Sequence, residues 1–258
     1  MRSSRPPTRR TYLSGEVAQR CAEALWSLTI DATHQSLEHR LREATAHTTL
    51  RSQPRDTYAR TDAFLAAASR HLAAVDEVLV PLVQRRLPDG HERAHDYLQT
   101  ARALEQTLAL LKARLCGEAH AIHASWPRVW TRVWTRVWTD VRRRLVRHNR
   151  EERALVEALL AQLDAKEHGR LAQRVYRSEV RGPTRPHPFT PHTGMAGTMA
   201  RRLWAVADRF WDTAEGRVIP EPVRPREHRH DSLMAQYVLG TPHFDEKATV
   251  FEHPRPPR

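Results

Sequence analysis

Between about Thr57 and Arg86 the chain places Phe64, Ala68, His71, Val75, Val78 and Leu82 at alternating steps of four and three. That spacing sets all six on one side of a helix, and a strand with its period of two cannot use it. A helix with one apolar stripe has to bury it against other elements. Three more such stripes follow from the sequence. The first lies in a helix expected from about Ser14 to about Thr48, carrying Ile30, His34, Leu37 and Leu41. The turn Leu-Pro-Asp-Gly at 87–90 leads into another, with Tyr97, Ala101, Leu104, Leu108, Leu111 and Leu115, which Gly117 ends. The last starts near Ser125-Trp-Pro, a helix-start signal, and carries Leu145, His148, Glu152, Leu155 and Leu159. Four long helices with short connections predict an all-α chain, an up-down-up-down four-helix bundle over residues 15–180.

The flanks read differently. Residues 1–14 hold four Arg and no acid, and are expected to be a basic, disordered N-terminus. Residues 181–217 pair a Pro/His loop, RGPTRPHPFTPHTG, with one more amphipathic helix. In that helix Leu203, Val206, Ala207 and Phe210 face one way, while Arg201, Arg202 and Asp208 largely face others. Pro, Arg and His dominate 218–258, which reads as a poorly ordered tail with a docking patch at SLMAQYVLG. The net charge of +12 is spread along the chain, so nucleic-acid binding is permitted but not indicated. No run of apolar residues suits a membrane span, and the N-terminus lacks the apolar core of a secretory signal. Two cysteines, Cys21 and Cys116, give no disulfide framework and are read as small apolar fillers in a cytoplasmic protein.

Histidine is the informative residue. His-x-x-x-Glu occurs three times, at His34/Glu38, His39/Glu43 and His148/Glu152. The last pair occupies core positions between Leu145 and Leu155, where burying both without partners costs several kcal/mol. Counting outward from the first connection, centred at about position 52.5, puts His34 level with His71. From the second, centred at about 88.5, Glu105 is the donor nearest that height, and Ala101 lies opposite Asp76. His91 and His95 fall at the wrong end of the bundle. His148 reaches the same layer only if part of the tandem repeat RVWTRVWTRVWTD overhangs or loops out. Imidazoles mixed with carboxylates suit iron, manganese or zinc, and carboxylates can bridge two cations.

One His on the first helix, His and an acid on the second, a donor on the third and His-x-x-x-Glu on the fourth resemble the hemerythrin-like, HHE cation-binding family. The stretch FLAAASRHLAAVDEVLVPLV looks like that family's second helix, and the resemblance covers roughly residues 20–165. The segment after 181 is similar to an extension carried by some actinobacterial members. The resemblance implies a non-haem iron site that binds oxygen or a small redox ligand, in a sensor or an iron-handling protein rather than an enzyme. Carried over by position, it makes His34, His71, His148 and Glu152 metal ligands. Val75 stands where the family has its second-helix acid, so Asp76 beside it takes the part. The third-helix histidine is missing, leaving Glu105 in its place, which implies a depleted di-iron or mononuclear centre.

Two further features bear on function. Trp126, Trp130, Trp134 and Trp138 alternate with Arg128, Arg132 and Arg136. Such an array could stack on single-stranded nucleic acid, but four-residue steps drift around a helix, and a short tandem duplication explains it more simply. His187 and His192 in PHPFTPHTG are read as parts of a wrapping loop. The alternative to a metal protein is a metal-free interaction module that binds a protein partner through residues 195–241 and its basic tails.

Overall fold

The structure is a computed structural model that describes residues 29–46, 54–119 and 128–225, and all the regular structure among them is helical. Helix α1 is described over 29–46. It is followed by α2 (Pro54–Arg86), α3 (Gly90–Ala119), α4 (Arg128–Leu160), α5 (Ala165–Arg181) and α6 (Gly194–Ala214). Several sequence expectations fall outside the described residues: the N-terminal half of the first helix, Cys21, the basic N-terminus, Trp126, the side chains of Trp130 and Trp134, and everything beyond 225. No helix among the described residues is long and apolar enough to cross a membrane.

The predicted stripes form the core. Phe64, Ala68, Val75 and Val78 of α2 are buried, as are Tyr97, Leu104, Leu108 and Leu111 of α3. Leu145, Leu155 and Leu159 of α4 and Ile30, Leu37 and Leu41 of α1 join them, while Leu82 is only partly buried. Each fully buried leucine contributes about 1.5–3 kcal/mol relative to an exposed one. Helix α2 packs on α3 and α5 and touches α4, and α3 packs on α4. Polar contacts place α1 against both α2 and α4, through Glu43 with Arg60 and Asp31 with Arg153. Trp138, the one tryptophan of the repeat whose side chain is described, is buried with its ring 6.2 Å from that of Phe64.

Gly90 makes the α2–α3 corner possible. A Cβ there would lie 2.1 Å from the Val83 carbonyl oxygen, a separation no side chain tolerates. Helix α5 was not separated from α4 in the sequence reading. Asp164 caps it with a reciprocal box, its carboxylate accepting from Glu167 N at 2.7 Å while Glu167 accepts from Asp164 N at 3.1 Å. Its buried stripe runs Leu171, Val175 and then Glu179, one turn on from Val175.

Helix α6 is oriented against its own hydrophobicity. Leu203, Val206 and Phe210 are exposed, together with Met199 and Trp211, whereas Arg201, Asp208 and Asp212 are buried. The expected apolar face exists but is exposed. The polar face instead grips the preceding loop. Asp208 accepts from the backbone N–H groups of Thr184 and Arg185 at 2.8 and 2.9 Å, and Arg201 donates to the His192 carbonyl at 2.9 Å. Arg217 pairs with Asp62 of α2 and with Asp212.

Candidate metal centre

Three imidazoles converge on one carboxylate oxygen. Glu152 Oε2 lies 2.8 Å from His71 Nε2, 3.1 Å from His34 Nε2 and 3.4 Å from His148 Nε2. The four residues come from α1, α2 and α4, and none is more than 2% exposed. The His34 and His71 rings meet edge to face at 5.5 Å, and those of His71 and His148 at 6.0 Å. His34, His71 and Glu152 each offer a ligand atom within 4.8 Å of the others, so this buried group could hold a metal ion. His148, one turn before Glu152 on the same face of α4, borders it.

The far side of His71 is fixed as well. Its Nδ1 lies 2.8 Å from Glu179 Oε1, which holds the ring with Nε2 turned to the cluster. A carboxylate on the second nitrogen is the usual device for orienting a metal-binding imidazole and raising its basicity. Burial pulls the His71 imidazolium down, but the Glu152 charge, with Glu179, overrides it and holds the group up to about 10. Burial likewise pushes the Glu152 carboxyl up, and the His71 and His34 charges outweigh that, holding it well below the carboxylate range. At His148 burial wins over the nearby Glu152 carboxylate, aided by repulsion from His71 and His34, and its pKa is lowered. The lowered pKa favours the neutral form of His148, the form a ligand needs.

Several buried polar atoms here make no hydrogen bond: both nitrogens of His148, His34 Nδ1, Glu152 Oε1 and the Tyr97 hydroxyl. Each such atom costs about 1–3 kcal/mol in a dry interior. Their concentration around one carboxylate fits a site built for an occupant, and the donor set of imidazoles and a carboxylate fits a divalent transition metal.

Asp76 and Glu105 are brought together elsewhere. Asp76 Oδ2 is 2.5 Å from His192 Nδ1, and His192 Nε2 is 3.6 Å from Glu105 Oε2. Glu105 Oε1 accepts from His187 N at 3.1 Å, and the His187 ring stacks on Trp204 at 4.4 Å. Burial holds the Glu105 carboxyl above its usual range despite the opposing His192 charge. Tyr97 feels a carboxylate from each group: burial raises its hydroxyl well above normal, and both Glu152 and Asp76 add to the rise. Sequence reasoning missed Glu179 and set His192 aside. The stripe Leu171, Val175, Glu179 carried the signal for the first, and nothing in the loop's periodicity marked the second.

Fold and site together define an all-helical protein with a buried imidazole–carboxylate cluster. Set against protein-family models, curated proteins and solved structures, the chain matches none.

Proposed function

We propose that the chain is a hemerythrin-like cation-binding protein, with α1 to α4 as an up-down four-helix bundle and non-haem iron held by His34, His71, His148 and Glu152. The observation that carries this reading is the convergence of three buried imidazoles on one buried carboxylate oxygen. A structural polar cluster would be expected to satisfy its own atoms, and this one leaves five without partners. Bound iron would supply redox chemistry toward oxygen or a small redox ligand. The chain's own residues would orient it through Glu179 and exclude bulk water with the apolar stripes around the layer. The role is sensing of oxygen or redox state, or iron handling, in the cytoplasm. Manganese or zinc would suit the same donors.

The test is the metal content of untagged protein from iron-supplemented cells, measured by mass spectrometry beside absorption spectra with and without oxygen. Bound iron with charge-transfer bands, removed by His148→Ala, is the expected result. Metal-free protein in every preparation would overturn the reading. A second reading, a partner-docking helical module, is favoured by one observation, the exposed stripe Met199, Leu203, Val206 and Phe210 on α6. It predicts that His148→Ala leaves partner capture unchanged while removal of 181–258 abolishes it.

A further inference from the structure

His192 repeats the geometry of His71 at another place. In each ring Nδ1 is held by a buried carboxylate, Glu179 for His71 and Asp76 for His192, and Nε2 faces a second one. The second carboxylate of His71 is Glu152 and that of His192 is Glu105. His192 is 7% exposed and Asp76 4%, yet His192 Nε2 and Asp76 Oδ1 have no hydrogen-bond partner. The 3.6 Å between His192 Nε2 and Glu105 Oε2 is too long for a hydrogen bond. Two ligands each about 2.1 Å from one ion, at a tetrahedral angle, stand roughly 3.4 Å apart. Beside them lies a cavity of about 20 Å³ bordered by Asp76, Glu105, His187, His192 and Arg201, enough for one water-sized occupant.

We propose that His192 Nε2 and Glu105 Oε2 form a second cation position, with Asp76 as the residue that fixes the His192 ring. One imidazole and one carboxylate with water completing the shell suit a divalent first-row ion such as Fe²⁺, Mn²⁺ or Co²⁺. The position is assembled by the loop between α5 and α6, not by the four long helices alone. Glu105 waits on α3 and Asp76 on α2, and the loop delivers the histidine. Helix α6 holds that loop from behind. Arg201 bonds the His192 carbonyl, and Gly197 lets the Pro191 carbonyl approach so closely that a Cβ there would sit 2.4 Å from its oxygen. Arg201 borders the same cavity, with its Nη1 committed to that carbonyl. This position goes beyond the reading of the His34–His71–His148–Glu152 cluster and does not depend on it.

The test is a titration of the metal-free full chain with Co²⁺, following its visible d–d absorbance and counting bound cobalt after gel filtration. Two equivalents are expected for the unaltered protein. His192→Ala and Glu105→Gln should each lose one of them, and Glu152→Gln should lose the other. Glu105→Gln keeps the oxygen that accepts from His187 N, so it tests the charge with the loop in place, and far-ultraviolet circular dichroism checks the fold. Asp76→Asn should keep the second equivalent but weaken it about 10–100-fold, the usual cost of removing an orienting carboxylate. One equivalent that survives His192→Ala and disappears in Glu152→Gln would overturn the second position and leave the first standing. One equivalent lost in His192→Ala and kept in Glu152→Gln would support the second position and sink the first. Two equivalents untouched by both His192→Ala and Glu105→Gln, or none at all, would also overturn it.

Discussion

Glu152→Gln isolates what the central carboxylate does in the metal-free protein. The substitution keeps size and shape and removes one buried charge that three imidazoles share. His71 is held up to about 10 against an ordinary 6.5. A group raised in this way stabilises the fold fully below its unfolded value, and the gain is lost as pH rises through the folded value. Near pH 7 the raised value is equivalent to about 4 kcal/mol, at about 1.4 kcal/mol per unit. Glu152 is the foremost of the charges responsible and Glu179 supplies the rest, so removing Glu152 should cost about 3 kcal/mol, in line with breaking a buried pair. For a chain of this size that lowers Tm by roughly 6–12 °C. Denaturant unfolding of metal-stripped protein at pH 7 and again near pH 10 is the assay. The penalty should shrink strongly at the higher pH, where His71 has lost about half of its proton in the unaltered protein. An equal loss at both pH values would show that Glu152 acts by packing, and the electrostatic account of the cluster would fail.

Other outcomes follow from the same geometry. Metal uptake at His71 Nε2 must displace a proton at neutral pH, so Co²⁺ affinity should rise about tenfold per pH unit between 6.5 and 8.5, read by competition with a chelator of known pH dependence. A flat profile would contradict a protonated His71. Glu179→Gln should weaken the first Co²⁺ equivalent about 10–100-fold while leaving the helical content unchanged by circular dichroism. Gly197→Ala should loosen the α5–α6 loop, seen as faster proteolysis within 183–193 and a loss of about 1–3 kcal/mol in unfolding free energy, because the new methyl collides with Pro191. Leu108→Ala, at a fully buried position of α3, should cost about 2–5 kcal/mol with no change in metal stoichiometry.

Much of this arrangement could be read in the chain because it depends on local spacing. The stripes of α2 and α3 are intervals of three and four residues, and all their side chains except Leu82 are buried. Counting from a connection put His34 level with His71, and the two rings are in contact. His148 and Glu152, one turn apart, needed only the helix itself. What could not be read depends on long returns of the chain. Glu179 meets His71 across 108 residues and His192 meets Asp76 across 116, by way of a corner at α4–α5 and a loop with no period. Asp76 and Glu105 were singled out in the sequence as ligand types, but their common neighbour, His192, comes from that loop. The orientation of α6 was hidden for another reason. Amphipathicity marks two faces, and only the partner decides which is covered. Here the partner is a loop full of backbone N–H and carbonyl groups, which Asp208 and Arg201 satisfy and leucine could not.

The bond between His71 and Glu179 also joins two parts of the molecule in one mechanical train. Glu179 sits in the last turn of α5, and three residues later the chain enters the loop that carries His192. Charge removed from the Nε2 side of His71 alters the grip of its Nδ1 on that turn. A change of charge at the cluster would therefore be felt at the end of α5, and amide exchange at residues 178–182 is expected to report it. That link needs only one imidazole with a different neighbour on each nitrogen.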